Sequence, residues 1–122
     1  MLSIKIGIIF SLLSVAIGAF GAHALKDQLN DYGKSIYEKA VLYQMFHSLA
    51  ILFITILNQY IDGVDLSSSV WFFSIGILLF SGSLYILSIT QIKWFGAITP
   101  IGGILFIIGW VLIFYKTLTS NI

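Results

Sequence analysis

The chain of 122 residues contains no cysteine and no arginine. Without cysteine there is neither a disulfide framework nor a thiolate metal site, and the redox compartment leaves no trace in the sequence. Without arginine, and with six lysines giving a net charge of +1, there is no basic patch of bidentate phosphate forks, which argues against a nucleic-acid partner. Charge of either sign is scarce, 9% of residues against about 25% in a soluble domain. Proline occurs once and histidine twice. What is abundant is apolar: 59% of the chain, with a mean hydropathy of +1.04. A water-soluble domain this small exposes too much surface to hide so many apolar residues. The solvent of this chain is lipid.

Four apolar runs follow from the order of residues, at about 4–22, 40–60, 70–89 and 95–115. Each is near the length needed to cross a hydrocarbon core of about 30 Å as a helix rising about 1.5 Å per residue. The expected fold is all-α: one domain over 1–122, an integral membrane four-helix bundle of antiparallel up-down-up-down topology. A secretory signal peptide competes for the first run, with Lys5 as its basic region and Ala22-His-Ala24 as a small-x-small site. The three later spans and the Gly/Ala packing pattern favour a retained helix.

On the first run Gly7, Ser11, Ser14, Gly18 and Gly21 recur every three or four residues, a narrow stripe on a helical period. Small side chains let backbones approach where no hydrophobic force drives helices together, so this stripe is expected to face another helix. Gly82, Gly102 and Gly103 are expected to pack in the same way on the third and fourth spans. Residues 23–39 hold Lys26, Asp27, Asp31, Lys34, Glu38 and Lys39 among Leu25, Leu29, Tyr32 and Ile36. That spacing predicts a short amphipathic helix on the cytoplasmic headgroups, broken near Gly33, with Asp31 or Ser35 capping the helix that follows.

The second span projects Gln44, His47, Ser48, Thr55 and Asn58 onto one side, and Tyr37 extends the stripe outward. Polar groups without partners in hydrocarbon cost several kcal/mol, so the stripe is expected to face the bundle interior or a wet cavity. The third span adds Ser81 and Tyr85 on one face, with Ser74 and Ser88. His23, Glu38, Gln44, His47, Ser48, Thr55, Ser81 and Tyr85 therefore form the candidate polar seam or pocket. In the fourth run Thr99-Pro100 either kinks the helix or starts its regular part with Thr99 as cap, leaving 95–99 to enter the membrane irregularly.

Lysines 26, 34, 39 and 93 fall on the connection side and lysines 5 and 116 on the terminal side. The positive-inside rule then places the first and third connections in the cytoplasm and both termini outside the cell membrane. No catalytic residue, metal site or cofactor is expected: the sequence has no HExxH, no paired carboxylates on a helix face and no nucleophile spaced from a base. His23 and His47 start at different depths, which disfavours ligation of a shared metal or haem. The expected partners are membrane lipid and a membrane protein or a second copy of the chain.

The blocks Gly18-Ala-Phe-Gly-Ala-His23, Tyr43-Gln-Met-Phe-His47-Ser-Leu-Ala50, Phe80-Ser-Gly-Ser-Leu-Tyr85 and Thr99-Pro-Ile-Gly-Gly103, followed by Gly109-Trp110, cover all four spans. Together they resemble the domain-of-unknown-function 423 family, small multi-pass membrane proteins that are mostly bacterial, with a eukaryotic relative resembling transmembrane protein 256. The resemblance implies an integral membrane protein of unassigned role and supplies no catalytic residues. Three functions remain in view: a structural, assembly or docking protein; a channel or carrier for protons or a small solute; and a lipid- or quinone-handling membrane enzyme.

Overall fold

The computed structural model describes residues 2–120. Among them four helices are long and apolar enough to cross a membrane. They are α1 (Leu2–His23), α2 (Asp31–Tyr60), α3 (Ser67–Thr90) and α4 (Thr99–Leu118), the last preceded by a short 3-10 helix, Lys93–Ala97. Each packs on its neighbour in sequence, and α1 and α4 share no extensive contact. The central α2–α3 pair therefore carries the core, and the outer helices flank it. Only Gly7 and Ser14 of α1 are buried, and only Gly102, Phe106 and Gly109 of α4.

The segment between the first two spans differs from the sequence expectation. α2 does not wait for the apolar run but starts at Asp31 and continues unbroken for 30 residues, about 45 Å. Its charged first turns extend beyond the length that the hydrocarbon core requires. Neither Asp31 nor Ser35 caps it: Asn30 does, its side-chain oxygen accepting the Gly33 N–H at 2.7 Å. Gly33 does not break the helix, since it lies where α2 crosses the end of α3 and a Cβ there would sit 3.1 Å from the Ser88 carbonyl. Leu25 and Leu29 do not rest on headgroups. Both are buried with Tyr37 against Ile17, Val41 and Tyr85, closing that end of the bundle.

The other connections are short and satisfied. Asn58, in the last turn of α2, accepts the Leu66 N–H at 2.8 Å and so ties the α2–α3 turn shut. Asp65 accepts from both the hydroxyl and the amide of Ser67, and these bonds hold its carboxyl below the ordinary 3.8, with a smaller pull from Lys116. A depressed carboxyl stabilises the fold above its unfolded value and loses that contribution as pH falls through the folded value. Acid titration of unfolding below about pH 4 should therefore show a small downward step, small because the carboxylate is exposed, and Ser67→Ala should flatten it.

At the opposite end Gln91 adopts a left-handed conformation (φ 58°) and closes α3. Its side chain donates to the Ser88 carbonyl at 2.9 Å and accepts from Asn30 at 3.4 Å, so the two connections on that side touch. α4 starts at Thr99 with Pro100 in its first turn, where no backbone donor is needed. Thr99 does not act as the cap. Its hydroxyl pairs instead with Ser83 of α3 at 2.6 Å.

The small residues divide into two kinds. A Cβ at Gly102 would meet the Phe80 backbone, with Cα at 2.8 Å, and one at Gly21 would overlap the Tyr37 ring. Gly7, Gly76 and Gly109 are filled as tightly, by Leu52, Phe106 and Phe73. Gly18 is less crowded, 3.2 Å from Val41, and Gly103 has only ordinary contact with Phe80 at 3.8 Å. Gly82 corrects the expectation: nothing lies within 4 Å of its would-be Cβ, because it sits on the outer side of α3.

Candidate functional site

The polar residues of α2 point inward and form two linked clusters. Gln44 is the hub of the first. Its amide nitrogen donates to the Phe10 carbonyl of α1 at 2.9 Å, and its amide oxygen accepts the Tyr85 hydroxyl of α3 at 2.7 Å. One side chain thus joins three helices. Tyr37 adds a bond from its hydroxyl to the Ile17 carbonyl at 2.6 Å, and its ring meets Tyr85 edge-on at 5.2 Å. Ser81 donates to the Ala40 carbonyl at 2.7 Å and Ser69 to the Gly109 carbonyl at 2.8 Å, bonds that cross from α3 to α2 and from α3 to α4.

His47 anchors the second cluster. Its ring stacks on Phe106 with centroids 3.7 Å apart and meets Phe73 edge-on at 5.1 Å. Nδ1 lies 2.9 Å from the Tyr43 carbonyl, and the indole nitrogen of Trp110 donates to Nε2 at 3.0 Å. A carbonyl only accepts and an indole N–H only donates, so the imidazole is neutral with its proton on Nδ1. Both ring nitrogens are committed. Neither is free to take a metal or to relay a proton without breaking a bond to the bundle.

Three further buried hydroxyls bond within their own helices. Ser48 donates to the Gln44 carbonyl, Thr55 to Ile51 at 2.7 Å and Ser74 to Val70 at 2.7 Å. Among the described residues Ser11 Oγ is the one buried side-chain polar atom without a partner. The seam is therefore closed on itself.

Of the residues singled out from sequence, Gln44, His47, Ser48, Thr55 and Ser81 are buried, and Tyr85 is partly so. His23 and Glu38 are exposed and stand outside the seam. Trp110 was missed as a seam residue: it is partly exposed on α4 and lies 63 residues from His47, so nothing in its local sequence marks its N–H as a partner of the seam. No group of three or more His, Cys, Asp or Glu that could hold a metal ion occurs among the described residues.

Two cavities flank the seam. One, of about 650 Å³, lies between α2 and α4 with Tyr43, Phe46, Phe80 and Trp110 in its walls and His47 among them. The other, of about 750 Å³, runs between α1 and α2 and ends among Lys26, Lys34 and Glu38.

Four apolar helices around an internally bonded polar seam define a small multi-pass membrane protein. A family model described as "Protein of unknown function (DUF423)" matches residues 17–103, and the chain belongs to that family. It is 46% identical over 116 residues to the UPF0382 membrane protein SAB0533 of Staphylococcus aureus (strain bovine RF122 / ET3-1), covering 95% of this chain and 94% of that protein. It is 44% identical over 111 residues to the UPF0382 membrane protein YwdK of Bacillus subtilis (strain 168), covering 90% of each. No solved structure matches it.

Proposed function

We propose that this protein serves the cell membrane as a structural and docking element and carries out no chemistry of its own. The observation that carries this reading is the closed seam, in which Gln44, Ser81 and Tyr85 bond to neighbouring helices and His47 is held between the Tyr43 carbonyl of its own helix and Trp110 of α4. A channel or carrier needs free polar or ionisable groups along a wet path. An enzyme acting on a lipid or quinone needs a free acid, base or nucleophile beside its substrate. His47, the imidazole inside the bundle, offers neither while Trp110 and Tyr43 hold it. The apolar outer faces of α1 and α4 are what remains for a membrane-protein partner or a second copy.

The test pairs a flux measurement with crosslinking. Liposomes carrying the purified protein should show no proton or small-solute flux that His47→Ala abolishes, while crosslinking in native membranes should trap α1 or α4 against another chain. Flux that depends on His47, or crosslinked membranes yielding monomer alone, would overturn the proposal.

The same reading puts both termini outside and the lysine-bearing connections in the cytoplasm. Because the chain has no cysteine, single cysteines placed at Asp62 and Lys93 give an unambiguous readout with an impermeant maleimide on intact cells. Asp62→Cys should label and Lys93→Cys should not; the reverse pattern inverts the topology.

A further inference from the structure

The cavity between α1 and α2 has a chemistry that the closed seam does not use. Its walls are small or apolar: Gly18, Ala19 and Ala22 on α1 face Val41, Leu42 and Met45 on α2. Small residues on α1 keep the helices close at Gly21, where the Tyr37 ring fills the gap, and leave an open trough beside it. From Ser14 to Ala22 the trough runs about 12 Å, which is close to half of a ~30 Å hydrocarbon core and so to one leaflet. It ends at Lys26 in the α1–α2 turn and at Lys34 and Glu38 in the first turns of α2. None of these three side chains has a hydrogen bond or ion pair among the described residues. An apolar trough of leaflet depth that ends at two unpaired ammonium groups and one carboxylate matches an amphiphile with an anionic head.

We propose that this groove holds one phosphatidylglycerol molecule, its phosphate between Lys26 and Lys34, its glycerol hydroxyls donating to Glu38, and an acyl chain along Ala19, Ala22 and Val41. Two lysines and one glutamate leave the mouth with one net positive charge, which a monoanionic phospholipid neutralises and a zwitterionic one does not. The hydroxyls of the head give Glu38 the donors it otherwise lacks. The proposal rests on residence in a membrane and stands independently of the docking role.

Native mass spectrometry of protein released from vesicles of equimolar phosphatidylglycerol, phosphatidylethanolamine and phosphatidylcholine tests it. One phosphatidylglycerol should be retained about thirtyfold over either zwitterionic lipid, as expected for two lysines acting at the membrane surface. Lys26→Gln with Lys34→Gln should bring it down to the phosphatidylcholine level. Lys39→Gln with Lys93→Gln removes the same charge from the same side outside the groove and should leave retention unchanged. Ala19→Phe adds no charge, fills the trough from an exposed position, and should also cost retention; an unchanged melting temperature in lipid-free detergent shows that each variant folds. Equal retention of the three lipids, equal losses in the two lysine pairs, or wild-type retention in Ala19→Phe would each overturn the proposal. Preferential retention of phosphatidylethanolamine would do so too, assigning Glu38 to an ammonium head instead.

Discussion

A single methyl group added at Gly102 should separate α3 from α4. The Cβ of Gly102→Ala would land on the Phe80 backbone, with Cα at 2.8 Å, and backbone cannot turn aside as a side chain can. Overpacking of this kind costs about 1–3 kcal/mol when the surroundings yield, and more when they do not. The damage spreads, because Phe106 and Gly109 sit one and two turns further along α4 and pack against Gly76 and Phe73 of α3. Moving α4 outward also pulls Trp110 from His47. Thermal unfolding in detergent should therefore show a large fall in midpoint for Gly102→Ala. Gly82→Ala is the matched control: with nothing within 4 Å, its methyl should change stability by about 0.5 kcal/mol or less, or raise it through better helix propensity.

The next largest effect is expected at Gln44. Gln44→Leu keeps the volume roughly constant but strips the Phe10 carbonyl of one donor and leaves the Tyr85 hydroxyl without its acceptor. An unsatisfied buried group costs about 1–3 kcal/mol, although interhelical bonds measured in membranes average nearer 0.6 kcal/mol. A loss of roughly 1–2 kcal/mol is expected from these bounds. The pattern is more diagnostic than the size. Tyr85→Phe removes the partner that Gln44→Leu strands, so the double variant should lose less than the sum of the two singles, with a coupling of about 0.5–1 kcal/mol. Strict additivity would mean that the Gln44–Tyr85 bond is not formed in the membrane.

How much of this was legible in the sequence differs by element. The apolar runs were, because lipid forbids an unsatisfied backbone and leaves long helices as the spanning form for such runs. The inward face of α2 was too, since Gln44, His47, Ser48 and Thr55 share a side at helical spacing and hydrocarbon would not accept them. The start of α2 was not. Lys34, Glu38 and Lys39 read as part of a separate amphipathic helix broken near Gly33, yet helix propensity and an Asn30 cap carry α2 through Gly33 as one helix of 30 residues. Nor could spacing tell Gly82 from Gly102, since both are glycines in apolar helices. What separates them is the rotation of α3, which Phe73 and Phe80 set by wedging against α4. The His47–Trp110 bond joins residues 63 apart in the chain, and no local pattern announces it.

That bond also explains why a histidine inside the membrane need not signal transport. An imidazole stacked on Phe106, with one nitrogen facing the Tyr43 carbonyl and the other taking the Trp110 proton, is a cross-brace between α2 and α4. Protonating Nε2 would set two N–H donors against each other. The brace and the Gln44 hub together hold all four helices, α1 and α3 through Gln44 and α4 through His47.

The most direct test of a seam closed on itself is the nitrogen-15 spectrum of His47 in lipid bilayers at neutral pH. The structure requires a neutral ring with its proton on Nδ1 and an acceptor-type Nε2 that shifts when Trp110 is replaced by phenylalanine. An imidazolium, an Nε2–H tautomer, or a spectrum indifferent to Trp110→Phe would contradict it.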